Sequence, residues 1–136
     1  MEAPVYTREE LDSELEKLVL RIKHMLEDFN ESSARLSRVE YELNRDLSVS
    51  TRTVSRFHEI LEELRSALQD AIDEMVVNRL RLDTDIEKYE RAFNVKFDYE
   101  SERQLGVALL REGGELKPVV VWTDYSRIGY YEGKRE

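Results

Sequence analysis

The sequence predicts a mainly α protein: long coiled-coil helices, as one rod or a helical hairpin, followed by a small C-terminal antiparallel β or α+β head. Three observations carry this reading. No Gly or Pro occurs between Pro4 and Gly106, although these are the residues least tolerated inside helices, by about 1 and about 3 kcal/mol relative to Ala. Within that stretch apolar residues recur at alternating steps of four and three. All five Gly and the second Pro then fall in the last quarter, among β-branched and aromatic residues.

Residues 1–6 read as an N-terminal tail. A first coiled-coil helix is predicted over residues 7–45, opened by the capping box Thr7-Arg8-Glu9-Glu10. In that arrangement the Thr7 hydroxyl accepts from the Glu10 amide and the Glu10 carboxylate reaches back. Tyr6 and Leu11 are placed to add a hydrophobic staple. Glu9, Glu10 and Asp12 suit the positive end of the helix dipole.

The first seam visits Leu11, Leu15, Leu18, Ile22, Met25, Phe29, Ser32, Leu36, Val39 and Leu43. Only Ser32 breaks its apolar character, so a 3.5-residue repeat keeps one stripe facing a partner helix. At residues 46–52, within the weakly helical stretch 44–53, a break is possible, because Ser, Thr, Asn and Asp compete for backbone hydrogen bonds. A turn and a loosened continuous helix both fit this stretch.

A second helical segment is predicted over residues 53–93. Its seam runs Val54, Phe57, Leu61, Leu64, Leu68, Ala71, Met75, Asn78 and Leu82. Beyond Leu82 the stripe moves to Ile86, Tyr89 and Phe93, and the two successive steps of four from Asn78 read as a stutter. Asn78 on the seam either fixes register or is a tolerated polar residue.

Residues 94–136 read as the β-rich head. Val95, Phe97 and Tyr99 alternate with Lys96, Asp98 and Glu100, the period of a half-buried strand. Leu105–Leu110 is a short apolar run, and Gly113-Gly114 signals a turn. Val119-Val120-Val121-Trp122-Thr123 is the strongest strand pattern. Pro118 before it suggests a strand start or an edge, and residues 128–131 an edge strand. Trp122, Tyr125, Tyr130 and Tyr131 are the candidates for the head's recognition surface, since Trp and Tyr are enriched at binding hot spots. The alternative for Trp122 is the plug of a small core.

Charge narrows the function. The net charge is −9, while the chain from Asn94 onward holds seven basic and eight acidic residues. The helical part therefore carries −8, and no basic stripe offers a nucleic-acid surface. The absence of Cys excludes disulfides and thiolate metal sites. His24 and His58 stand in no ligand spacing, no base is positioned beside Ser32, Ser33 or Ser48, and Gly113-Gly114 lacks the rest of a phosphate loop. No catalytic activity, cofactor or metal is expected. With no signal pattern and no membrane-length apolar run, a soluble intracellular protein, cytoplasmic or nuclear, is expected.

Tyr89, the run Phe93-Asn94-Val95-Lys96-Phe97-Asp98-Tyr99-Glu100, and Pro118-Val119-Val120 after a Gly-bearing turn resemble the junction and first strands of a known subunit. It is the shorter coiled-coil subunit, with an RWD-like head, of the Ndc/Nuf/Spc kinetochore complex. The resemblance implies parallel pairing with a sister subunit and a head that docks a peptide. From the residues themselves the expected function is a non-enzymatic scaffold or adaptor subunit that pairs with helical partner chains, of its own kind or another. The alternative is a small acidic inhibitor that masks a basic site on a nucleic-acid-handling protein.

Overall fold

In the computed structural model, residues 2–45, 51–98 and 103–135 are described. The elements run β1 (Val5–Tyr6), α1 (Arg8–Arg45), α2 (Thr51–Leu80), α3 (Ile86–Phe93), β2 (Val95–Lys96), β3 (Arg103–Glu112), β4 (Glu115–Asp124), β5 (Arg127–Glu132) and β6 (Lys134–Arg135). Long helices followed by a C-terminal β region are thus present. The possible break at 46–52 falls mainly on residues 46–50, outside the described residues; Thr51 and Arg52 already belong to α2.

The capping box forms. The Glu10 amide donates to Thr7 Oγ1 at 3.1 Å and the Thr7 amide to Glu10 Oε2 at 3.4 Å. From there α1 runs 38 residues, about 57 Å at 1.5 Å per residue. It lies antiparallel to α2: Leu18 and Ile22 share a core with Ile72 and Val76, and far from them His58 Nδ1 sits 3.6 Å from Glu40. The two helices therefore make a hairpin rather than a rod.

The predicted segment 53–93 is two helices. At the end of α2, Arg81 takes a left-handed φ of 56° and the Leu82 amide donates back to the Val77 carbonyl at 3.0 Å. This is a Schellman stop with Arg where Gly is usual. What reads as a stutter is a helix end. The Asp85 carboxylate then caps α3 by accepting from the Lys88 amide, and Asn94, also left-handed, closes it.

The main sheet has the order β1-β3-β4-β5, with β1 parallel to β3 and the other pairs antiparallel. The predicted tail is part of this fold: Val5 and Tyr6 pair with Leu109 and Leu110, and Ala3 is buried. Pro118 lies inside a central strand, not at a start or an edge. The Leu109 amide points to Pro4 O, so Leu109 and Pro118 form a pair with no hydrogen bonds between them and β3 asks for no donor there. The Pro118 carbonyl instead accepts from the Gly133 amide at 3.4 Å. β2 pairs with β6 in a small second sheet. Tyr99, expected to extend β2, lies outside the described residues.

Side chains alternate across the main sheet. On one face Ala108, Leu110, Val119 and Val121 pack against Leu11, Leu15, Leu18 and Ile22 of α1 and Ile72, Val76 and Leu80 of α2. On the other, Val107 and Val120 join Tyr89, Phe97 and Ala3, covered by Ile86 and Phe93 of α3. The result is three layers. The expected β head is present with a small core on its far face, and the near face of its sheet is the floor on which the lower half of the hairpin is built.

Candidate interaction surface

Two polar clamps fix the hairpin to the sheet. At the start of α1, Arg8 reaches Glu112 of β3, Glu132 of β5 at 2.6 Å and the Tyr130 hydroxyl at 3.1 Å. That hydroxyl donates to Asp12 at 2.8 Å. The Arg8 hydrogen bond holds the Glu112 carboxyl below the usual range. Burial, helped by the bond to Asp12, pushes Tyr130 up. Along α2, buried Asp73 accepts from Thr123 Oγ1 at 2.7 Å, from Gln69 Nε2 at 2.9 Å and from Arg103 Nε. A buried carboxylate with this many donors is satisfied; it anchors α2 over β4.

A third cluster ties the chain's start to the turn after α2. The Tyr89 hydroxyl donates to Asp83 Oδ2 at 2.8 Å and accepts from the Ala3 amide at 2.7 Å. Burial pushes the Asp83 carboxyl up, but the Asp85 amide, the Tyr89 hydroxyl and Lys88 outweigh it, and its pKa is lowered. Gly106 lets this turn approach: a Cβ there would sit 2.7 Å from the Asp83 carbonyl.

These three clusters use their polar groups on each other. Among the described residues no group of three or more His, Asp or Glu could hold a metal ion, and no helix is long and apolar enough to cross a membrane.

The seam residues divide into two sets. Leu11, Leu15, Leu18, Ile22, Leu61 and Leu82 are buried; Met25, Phe29, Leu36, Phe57, Leu68 and Met75 are half-buried. Val39 and Leu64, by contrast, are 45% and 46% exposed. The side chains of Leu43 and Val54 lie outside the described residues. In the upper hairpin the inward positions of α1 pass to buried Ser33 and half-buried Glu40, one residue beyond the predicted Ser32 and Val39. In α2 the inward stripe is Leu68, Ile72, Val76 and Leu80, while Ala71 and Asn78 face solvent. Steps of four follow the helix's own 3.6-residue period onto a sheet, where a partner helix would have held it to 3.5.

The uncovered flank is therefore in the upper half. Phe57, Ile60 and Leu64 stand three and four residues apart on one side of α2, and Ile60 is 41% exposed. Leu36 and Val39 flank the same side of α1. On the opposite side, where the hairpin leaves the sheet, a groove of about 670 Å³ is lined by Leu26, Phe29, Leu68, Arg103 and Tyr125 among others.

The four aromatic candidates separate as well. Tyr130 packs toward the helices and Tyr131 against Phe97 on the other face, with ring centroids 6.2 Å apart. Trp122 is half-buried over Gly129, where a Cβ would meet its ring at 2.6 Å. Arg127 lies 5.9 Å from that ring's centroid. Tyr125 alone stands out, 78% exposed at the β4–β5 turn with a φ of 54°. A bulky residue in that region is strained.

Fold and surface together define a helical hairpin seated on a mixed sheet. Compared with known proteins, the chain matches no family model, no curated protein and no solved structure.

Proposed function

We propose that this chain is a non-enzymatic interaction subunit whose sheet and lower hairpin form a rigid base and whose upper hairpin takes a helical partner. The observation that carries the reading is the exposure of Val39, Ile60 and Leu64 on helices whose lower apolar residues are buried against the sheet. A partner helix laid along that flank would complete a bundle, and each apolar side chain it fully buries would contribute roughly 1.5–3 kcal/mol. Tyr125, displayed where the hairpin leaves the sheet, is the head's candidate for a second contact. The parallel pairing implied by the kinetochore resemblance needs a long uninterrupted rod, which a hairpin does not offer.

Ile60→Asp with Leu64→Asp tests this reading. Proteins co-purifying with the wild type should be lost from the double variant while its melting temperature stays put. Retention of the same partners by a folded double variant would sink it.

A second reading, an acidic inhibitor, draws on Glu27, Asp28, Glu31, Glu59, Glu62 and Glu63 around the middle of the hairpin. Electrostatic capture should vanish as salt rises from about 0.1 to about 1 M, where screening shortens from about 10 to about 3 Å. Apolar docking survives that change.

A further inference from the structure

Charge along the hairpin is segregated. Toward the tip, residues 35–45 and 51–58 hold Arg35, Arg38, Arg45, Arg52 and Arg56 against Glu40 and Glu42, a net charge of +3. The belt below it, residues 27–34 and 59–66, holds six carboxylates against Arg65, a net charge of −5. Both zones carry part of the uncovered apolar flank: Val39 and Phe57 in the tip, Ile60 and Leu64 in the belt.

We infer that the partner on this flank is a second copy of the chain, paired antiparallel about a two-fold axis so that each basic tip lies on the other's acidic belt. This rests on the reading of the upper hairpin as the assembly surface. A two-fold interface must be self-complementary: whatever patch one copy offers must fit the same patch turned around. Tip against belt satisfies this in charge and in apolar content. Parallel pairing would instead set +3 on +3 and −5 on −5, which like-charge repulsion opposes.

The overlap is ample. Residues 27–45 of α1 span about 28 Å, and a four-helix arrangement of two hairpins would bury the flanks of both helices. Some charges already pair within the chain: Arg35 with Glu31 at 2.9 Å, Arg56 with Glu59 at 3.1 Å and Arg65 with Glu62 at 3.2 Å. The side chains in these pairs are more than half exposed. Pairs so exposed are weakly held and can be re-made across an interface. The lower hairpin cannot serve the same purpose, because its apolar stripe is spent on the sheet.

Mass by sedimentation equilibrium, over a range of concentration and salt, tests the inference on the full chain. The wild type should dimerise, more weakly as salt rises. Arg52→Glu with Arg56→Glu should raise the dissociation constant about tenfold or more, and so should Glu59→Lys with Glu63→Lys. Mixing the two double variants should give a heterodimer, because the unaltered basic tip of one then meets the unaltered acidic belt of the other. Circular dichroism on each variant confirms that the fold is kept, as all four residues are exposed.

A wild type that stays monomeric at about 1 mM, weaker than any stable interface, overturns the inference. So does a mixture of the two double variants that forms no heterodimer. If the monomer nevertheless loses co-purifying partners on Ile60→Asp with Leu64→Asp, self-pairing falls and the assembly surface stands. A dimer indifferent to those two substitutions overturns both.

Discussion

Replacing Ile22 and Leu64 separately by Ala measures how differently the two halves of the hairpin are used. Both positions belong to the heptad stripes, and in a continuous two-stranded rod each would face a partner helix. In the hairpin Ile22 is fully buried between the helices and the sheet. Its truncation removes the transfer energy of the lost atoms and leaves a cavity, about 2–5 kcal/mol together. Leu64, 46% exposed, loses little in the isolated chain, below about 1 kcal/mol. Unfolding entropy near 2.1 cal/mol/K per residue gives a chain of this length about 0.29 kcal/mol/K, so 1 kcal/mol moves the melting temperature by about 3.5 °C. Ile22→Ala should therefore melt about 7–17 °C lower, and Leu64→Ala within about 4 °C of wild type. Thermal melts followed by far-UV circular dichroism in dilute protein decide it. Equal losses at the two sites would mean that the upper seam is as buried as the lower, and the hairpin reasoning would fail.

Tyr125→Gly should stabilise the fold by up to about 1 kcal/mol: it relieves a left-handed conformation costing roughly 1–2 kcal/mol and returns about 0.4–1 kcal/mol through the freer unfolded chain. A melting temperature that falls instead would show that the Tyr125 ring makes a stabilising contact. Gly129→Ala sets a Cβ against Trp122 and should cost about 1–3 kcal/mol; the emission of this single tryptophan should move to the red as its ring is lifted into water. Acid should destabilise the protein. The Arg8 hydrogen bond lowers Glu112, the Lys134 hydrogen bond lowers Asp98, and net hydrogen bonding lowers Asp83 against its burial. A carboxyl depressed in the folded state contributes stability that is present above its unfolded pKa and lost as pH falls through the folded value. Denaturant midpoints should thus be level above about pH 5 and drop below about pH 4, and Arg8→Gln should lose less on acidification than wild type.

Local chemistry made some elements legible and hid others. The Thr7–Glu10 capping box, the Gly113-Gly114 turn and the valine run of β4 each announce themselves within a few residues, and each is where the pattern places it. The end of α2 does not. Its stop is made by Arg81 in a conformation that sequence reading reserves for Gly or Asn, and a tertiary contact, the Tyr6 hydroxyl on the Leu80 carbonyl at 2.9 Å, supports it there. β1 is hidden for a related reason. Two residues carry no period, and their pairing with Leu109 and Leu110 closes a loop of about a hundred residues. In α2 the predicted stripe assumed a 3.5-residue repeat, so it selected Ala71, Met75 and Asn78 in place of Ile72, Val76 and Leu80. The aromatic candidates could be ranked only once register was known. Trp122 opposite Gly129, and Tyr125 at the turn, are facts of strand pairing.

The division of the hairpin also follows from what each half touches. Below Leu26 and Leu68 the helices need each other and the sheet, and polar residues in the interface are tolerated only where they are paired, as Asp73 is. Above that level there is no sheet, and the inward positions turn to Ser33 and to Glu40 beside His58. Two helices alone bury only a narrow strip between them, too little to offset the ordering of some forty residues at roughly 1–2 kcal/mol each. The upper hairpin therefore gains most from a third or fourth helix. Its exposed Val39, Ile60 and Leu64 lie along the side where the proposed partner helix would rest.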